Sequence, residues 1–572
     1  MRVLTKKWLP SDSFGGKIIF LTCLIVVFYL LVVAKLFSWQ VLRGREITNQ
    51  IGRQNTRESY YEGRRGAIIS VDGRSLSENI IRYNLWTDPQ VAKKNVAEKV
   101  IALSARLDLS RPDLQKIFDK TDTRYVTLAK RLTKDQMDNI KLLEVEGLGF
   151  DQEQLRIYPE ASSSSHVTGF LGKDDGGKSK GYFGLEGYYD LVLRGKESVQ
   201  KFKVDALGRR IETSTDTLQL DGATLLTSID LGIQVVAEKK LLAGIEKYGA
   251  VSGNVVIMDS KTGNLLAMVA APSFDPNRYW EFDNILYKNP IVSDSFEPGS
   301  VFKVVVMASA LDQKAVDEDT KCDICDKAYK IDKYQIETWN DEYYPDSSMT
   351  EVIVHSDNVG MVYVANKLGK KDFYAHLLKF GFGEATGIDV QGEFFPKLKN
   401  YKDWSDVDLA TISFGQGIAV TPMQMIRAVG AIANKGVIQT PQIGQKILMN
   451  QGEVKEIKKE NSYRVISKEA AEKITAMMVE AASSGEAQWT NLPGFGVAGK
   501  TGTAQIPIAG HYDDKKTIAS FVGFAPYDDP RFVMLVTLRE PKSSQWASET
   551  AAPLWYDIAS DLFIKFGISP ER

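Results

Sequence analysis

The sequence predicts an α+β protein in three parts: an N-terminal transmembrane helix, a mainly β or mixed module reaching to about residue 220, and a C-terminal domain with an antiparallel sheet flanked by helices. Three observations carry this. An apolar run occupies Ile18 to Ala34. Near Leu218 the texture changes from polar and glycine-rich to periodic and apolar. Beyond that point helical patterns come first and last with strands between them, the arrangement of an α+β domain. At 572 residues the chain exceeds what one core usually organises, in line with more than one domain.

The apolar run is broken only by Thr22 and Cys23 and continues through Leu36, Phe37 and Trp39, long enough to span a bilayer. A cleaved leader has a shorter apolar core and a small-x-small site. Val32-Val33-Ala34 matches that poorly and is followed by more apolar and basic residues, so residues 18–39 read as an uncleaved anchor behind a cytoplasmic tail of 1–17. Arg2, Lys6, Lys7 and Lys17 before the run balance Lys35, Arg43, Arg45 and Arg53 after it, which leaves orientation open on charge alone. A long C-terminal part is translocated largely regardless of such charges, so the bulk of the chain is expected outside the cell membrane.

Residues 40–220 carry short β-like runs and many glycines, and nothing in them proposes a reaction. Then come Thr224 to Asp230, a helical pattern from Leu231 to about Tyr248, and two apolar runs, Val255 to Met258 and Leu265 to Ala271, around a turn at Lys261-Thr-Gly-Asn264. Helices are expected around Ser300 and over Ala470 to Ala482, and a strand at Lys500 to Gln505. Thr517 to Ala525 and Arg531 to Arg539 alternate as strands around Pro526-Tyr-Asp-Asp-Pro530, and an amphipathic helix closes the chain over Pro553 to Phe566.

The 71 basic residues nearly cancel the 73 acidic ones, which argues against a nucleic-acid partner. Cys23 lies in the apolar run, leaving Cys322-Asp-Ile-Cys325. One C-x-x-C without a second pair is weak evidence for zinc, so no metal site is assigned; a local disulfide and free thiols both remain open. No cofactor motif survives inspection either.

The chemistry lies in Ser300-Val-Phe-Lys303. A serine and a lysine three residues apart share one face of a helix. The apolar run Val304 to Leu311 that follows buries the helix, with its first turn opening onto a cleft. Burial lowers a lysine pKa, and only the neutral amine takes the proton of a serine hydroxyl. Two later segments complete the pattern: Ser356-Asp-Asn358 and Lys500-Thr-Gly-Thr503. Ser-x-x-Lys, Ser-x-Asn and Lys-Thr-Gly in this order mark penicillin-binding proteins and serine β-lactamases.

Each motif also occurs by accident in this chain. Ser198-Val-Gln-Lys201, Ser77-Glu-Asn79, Ser252-Gly-Asn254 and Lys261-Thr-Gly263 repeat the patterns in settings without a buried helix or a cleft. Gly172 to Ser179 satisfies a phosphate-loop pattern, but Lys180-Gly-Tyr-Phe-Gly184 follows where a helix should start, so a flexible surface loop is expected. Gly177-Lys-Ser-Lys-Gly181 fails as a nucleophile elbow on its polar flanks. Of the four histidines only His355 adjoins a motif; with Ser356 facing the cleft, His355 turns elsewhere and no Ser-His-Asp triad is expected.

The three motifs, with Arg64-Arg-Gly66, Arg156-Ile-Tyr-Pro159, Gly169, Gly184-Leu-Glu-Gly187, Gly415-Gln-Gly417, Thr421-Pro-Met-Gln424 and Ala551-Ala-Pro553, resemble the class B penicillin-binding proteins over nearly the whole chain. That resemblance implies a pedestal of the dimerisation type over 40–220 and a penicillin-binding transpeptidase domain over 221–572. It implies a membrane-anchored D,D-transpeptidase that crosslinks peptidoglycan stem peptides through a serine acyl-enzyme and is acylated by β-lactams. The compact pedestal and the lack of C-terminal accessory domains look more like the septal, division-associated type than the elongation type. Without a glycosyltransferase region, glycan polymerisation falls to a membrane partner, alongside division proteins.

By the same resemblance Ser300 is the nucleophile and Lys303 its general base; Ser356 relays a proton to the leaving amine, and Asn358 orients Lys303 and the substrate amide. Lys500 supplies a positive field, the hydroxyls of Thr501 and Thr503 bind the terminal carboxylate, and the amides of Ser300 and Thr503 form the oxyanion hole. Gly502 is expected to let the substrate backbone lie along the strand edge. No glutamate stands out that would make deacylation by water fast. A D,D-carboxypeptidase and a catalytically idle penicillin-binding scaffold are the alternatives. The acceptor amine, the partner's identity, the envelope type and the oligomeric state are not legible.

Overall fold

A computed structural model of the protein describes residues 14–46, 56–92, 99–120, 122–203, 220–459, 462–508 and 511–570. Two compact units emerge, one from Met1–Gly63 with Lys196–Leu220 and one from Arg64–Gly195 with Asp221–Arg572.

In the first unit, helix α1 (Phe14–Phe37) runs into a π-helical turn at Ser38–Leu42. Residues 15–37 are exposed throughout. Such an apolar surface calls for an apolar solvent, and 24 residues rise about 36 Å, enough for a hydrocarbon core of about 30 Å. Among the described residues it is the one helix long and apolar enough to cross a membrane. The strand Thr56–Glu62 pairs antiparallel with Glu197–Lys203.

In the second unit, the C-terminal domain begins with α2 (Leu231–Tyr248), capped by the Asp230 carboxylate on Ile233 N. Five antiparallel strands follow along the chain: β1 (Ser252–Met258), β2 (Leu265–Ala271), β3 (Ala498–Ile508), β4 (His511–Ala525) and β5 (Phe532–Arg539), in the sheet order β2-β1-β5-β4-β3. Successive side chains leave a strand on opposite faces. Val255 and Ile257 therefore join α2 and the closing helix, Ala551–Phe566, in one core, while Val256 and Met258 join the other. Both faces of the sheet are covered, so β5 is buried at every position but Arg539. The expected hairpin at Lys261-Thr-Gly263 is the β1–β2 turn.

The second core is organised around α3 (Lys303–Asp312), of which only Asp312 is not buried. Each buried valine, leucine or methionine there contributes about 1.5–3 kcal/mol, a set of contacts that fixes the helix firmly enough to hold Lys303 out of water. Around it lie α4 (Met349–Val354), α5 (Asn358–Leu368), α6 (Pro422–Ala433) and α7 (Lys468–Ser484).

Strands from before and after residue 220 share a mixed sheet. Ile68–Ile69 runs parallel to Thr224–Thr227, which pairs antiparallel with Gly444–Leu448. Beside it three scattered motifs converge on a single buried carboxylate. Glu186, fully buried, accepts from Arg65 Nε at 2.6 Å and Arg156 Nε at 2.8 Å, with Tyr158 OH at 3.3 Å. Burial pushes its carboxyl up, but the guanidiniums of Arg156 and Arg65 outweigh that and hold it below the usual range. Breaking such a pair strands a buried charge, which accounts for these residue types in a module without a reaction.

The segment expected as a flexible loop is instead a tight hairpin. Phe170–Lys173 pairs with Ser179–Tyr182, and Asp174 Oδ1 accepts from the amides of Gly176 and Lys178, both at 2.9 Å. The turn's own carboxylate occupies the amides that a phosphate would need. Cys322 and Cys325 form a disulfide, with Sγ–Sγ 2.07 Å and Cα–Cα 5.6 Å, which resolves the alternatives left open by spacing.

Candidate active site

Ser300 sits in a 3-10 turn, Gly299–Phe302, that leads into α3, so Lys303 is the first residue of the α-helix proper. Residues three apart fall on one side of such a turn, so Ser300 and Lys303 share a face as the spacing predicts. The turn is held from behind by the loop at Gly415-Gln-Gly417. Gly299 N donates to Gly415 O at 3.0 Å, and Gly417 N donates to Glu297 Oε1 at 3.1 Å. Tyr512 OH, from β4, donates to the same Glu297 carboxylate at 3.0 Å.

Lys303 is fully buried, and its hydrogen bonds go to the loop between α4 and α5: Ser356 O at 2.5 Å, Ser356 Oγ at 3.2 Å and Asn358 Oδ1 at 2.8 Å. Asn358 is itself fixed by donating from Nδ2 to Glu337 O at 2.9 Å. Ser356 has φ +55°, a left-handed conformation that costs a non-glycine residue of order 1 kcal/mol. The next residue supports it: Asp357 Oδ1 caps α5 by accepting from Val359 N at 2.7 Å and Gly360 N at 3.1 Å.

Lys500 lies on β3, the edge strand of the sheet, and is almost fully buried. Its Nζ donates to Ser356 Oγ at 3.0 Å and to Thr501 O and Oγ1 at 3.2 Å each. The two lysines thus flank one hydroxyl. Burial, then the charge of Lys500, push the Lys303 amine down to about 7, against the opposing carboxylates of Asp357 and Glu486. Burial also pushes Lys500 down, with Glu486 opposing. Two buried ammonium groups this close repel, so the stable arrangement at neutral pH is one neutral and one charged lysine.

The expected residues Ser356, Asn358 and Lys500 therefore converge on Lys303, one turn from Ser300. Thr503 Oγ1 accepts from Ala547 N at 3.0 Å, which leaves its own proton free to face the cleft. Thr501 differs: its proton goes to Glu486 Oε2 at 2.9 Å. Gly502 also meets a packing requirement within the protein. A Cβ there would lie 2.8 Å from both Val301 N and Val301 Cγ1, so the glycine admits the nucleophile turn itself against the strand.

Several neighbours carry no sequence signal. Trp339 and Trp546 meet edge-to-face at 5.2 Å, with Trp339 Nε1 donating to His355 O at 3.2 Å. The His355 ring stacks on Tyr344 at 3.9 Å, turned aside as expected. Glu297 and Glu486 are the carboxylates added to the site. The first sits behind the turn, with its carboxyl pushed up by burial; the second adjoins Thr501.

Residues 253–560 match the family model of the penicillin binding protein transpeptidase domain, and residues 60–227 that of the penicillin-binding protein dimerisation domain. Stage V sporulation protein D of Bacillus subtilis is 31% identical over 567 residues, covering 97% of this chain and 86% of that protein. The peptidoglycan D,D-transpeptidase FtsI of Escherichia coli is 28% identical over 515 residues, 89% of this chain and 84% of that protein. In fold, the chain is similar to penicillin binding protein 3 of Mycobacterium tuberculosis, solved with aztreonam: TM-score 0.69 at 24% identity, over 90% of this chain and 98% of that one.

Proposed function

The chain belongs to the penicillin-binding protein transpeptidase family, and from that premise we propose that it is a membrane-anchored D,D-transpeptidase in which Ser300, Lys303, Ser356, Asn358 and Lys500 carry the acyl transfer. The observation that bears most weight is the buried Lys303 amine, pushed down to about 7 and held between Ser356 and Asn358.

In the proposed sequence, Ser300 Oγ attacks the carbonyl between the last two D-alanines of a donor stem peptide, and its proton passes to the neutral Lys303 amine. The amides of Ser300 and Thr503 receive the developing oxyanion. As the C–N bond breaks, Ser356 delivers its proton to the leaving nitrogen and is reprotonated from the Lys303 side. D-Alanine departs, leaving an ester on Ser300. An amine of a neighbouring stem peptide then attacks the ester, and its proton returns through the same groups. The terminal carboxylate sits near Lys500, with Thr503 as the hydroxyl that has a proton to give.

The same proposal covers the surroundings. Residues 18–39 anchor the chain with its body outside the membrane, residues 40–220 form the pedestal and 221–572 the transpeptidase domain, a division supported by the two matched segments. The compact pedestal supports a septal role with a glycan polymerase and division proteins as partners, and the aztreonam complex of the structural relative supports β-lactam binding.

Mass spectrometry of the full-length, detergent-solubilised protein after incubation with a penicillin tests the reading. A stable adduct on the Ser300 peptide, absent in Ser300→Ala, is the expected result. No adduct on folded wild-type protein removes acyl transfer and leaves a scaffold. Stem-peptide substrate supplied with an acceptor amine separates crosslinked product from the carboxypeptidase product.

A further inference from the structure

Glu486 belongs to no motif, yet it reaches the catalytic cleft. Helix α7 ends at Ser484, and Gly485 follows where a Cβ would lie 2.3 Å from Ala481 O and 3.1 Å from Val354 O. Only a residue without a side chain lets the chain turn there, against the end of α4. The turn aims the Glu486 carboxylate at β3, where Oε2 accepts the Thr501 hydroxyl at 2.9 Å.

From Glu486 the hydrogen bonds can run in one direction only. An ionised carboxylate accepts and does not donate. Thr501 has a single proton, committed to Glu486, so it meets Lys500 Nζ at 3.2 Å through a lone pair. A charged lysine donates and does not accept. Ser356 Oγ therefore accepts from Lys500 at 3.0 Å and keeps its own proton to give. A neutral amine has two protons and one lone pair. The protons match Ser356 O at 2.5 Å and Asn358 Oδ1 at 2.8 Å, and the lone pair is left for the Ser300 proton. Among these groups the Ser356 proton is then the donor left over, and it is the one the leaving nitrogen needs.

We propose that Glu486 is a positioning residue for acylation: by committing the Thr501 proton and holding Lys500 as a donor, it points the Ser356 proton away from Lys500 and into the reaction path. This rests on the acyl-transfer reading above and changes none of its bonds. The Ser300 ester forms, the amide C–N bond breaks, and the nitrogen leaves with the proton that Ser356 delivers.

The charges around the two lysines fix the expected pH response. Lys303 faces Lys500 from β3, Asp357 from the α4–α5 loop and Glu486 from beyond α7; Lys500 faces Lys303 and Glu486, and His355 acts on Asp357. Glu486 raises both lysines, so its removal lowers both. The experiment is the pH profile of acylation of the full-length protein by a fluorescent penicillin, for wild type, Glu486→Gln and Glu486→Asp. Glu486→Gln is expected to acylate about tenfold more slowly at its optimum, with both limbs of the profile displaced to lower pH, while Glu486→Asp keeps the wild-type limbs. A Glu486→Gln profile that overlays wild type, or one reduced by the same factor at every pH, overturns the proposal. Wild type that leaves Ser300 unlabelled overturns the acyl-transfer reading instead.

Discussion

Lys500 Nζ donates to Ser356 Oγ at 3.0 Å, so the edge strand of the sheet is joined to the α4–α5 loop through one hydroxyl. The same oxygen lies 3.2 Å from Lys303 Nζ. Removing it leaves two buried amines facing each other with no group to carry a proton between them. Ser356→Ala and Ser356→Gly should both abolish β-lactam acylation to a similar extent. They should differ in stability, because φ at this position is +55°. Glycine tolerates that conformation and alanine does not, so the glycine variant should be the more stable by about 1 kcal/mol. Equal thermal stability of the two would show that the backbone there relaxes when the hydroxyl is lost.

Acylation should depend on pH through Lys303. Only its neutral form accepts the Ser300 proton, and burial beside Lys500 brings its pKa to about 7. The acylation rate should therefore rise as pH increases through about 7, and fall again where Lys500 loses its proton. Lys303→Arg places a permanently charged group there. It should slow acylation roughly 10²–10⁴-fold and remove the inflection. Stopped-flow measurement with a fluorescent penicillin checks both; an inflection that persists in the arginine variant would assign it to another group.

Ser300, Lys303, Ser356, Asn358 and Lys500 were legible because each motif is local: the spacing that aims the side chains is written in three or four consecutive residues. Arg65, Arg156 and Glu186 stood out as separate family landmarks, but their meeting on one buried carboxylate depends on how strands and a short helix pack. Glu486 and Trp339 left no trace, since the first depends on where α7 ends against α4 and the second on the fold of a long insertion between α3 and α4. The strands were legible singly, β5 to within one residue, but their order in the sheet was not, and β3 and β4 run beyond the segments read for them. Helices cover both faces of β5, so its apolar run lacks the alternation expected of Arg531 to Arg539. The hairpin at Asp174 was misjudged because an aspartate closing its own turn has the composition of a mobile loop.

Thr501 and Thr503 should not be equivalent toward a substrate carboxylate. The Thr501 proton is committed to Glu486, whereas Thr503 accepts from Ala547 N and keeps its proton for the cleft. Thr503→Val should lower the efficiency of penicillin acylation about tenfold, and by more than Thr501→Val does. A penicillin whose carboxylate is esterified should lose the difference between the Thr503 variant and wild type. If the two valine variants fall together with the free acid, the Thr501 hydroxyl turns to the ligand on binding.

Acid should weaken the fold at a position remote from catalysis. His166 is buried, with Nε2 donating to Leu286 O at 3.0 Å, and burial pushes its pKa from 6.5 down to about 4. Between those values the unfolded chain holds a proton on this ring that the folded chain does not. The contribution is therefore fully present above pH 6.5 and is lost as pH falls through about 4. The shift corresponds to about 3 kcal/mol. Gln at this position can still donate to Leu286 O and does not titrate. The thermal midpoint of His166→Gln should therefore fall less steeply than that of wild type between pH 6.5 and 4. Parallel slopes would mean that the ring is protonated in place without opening the fold.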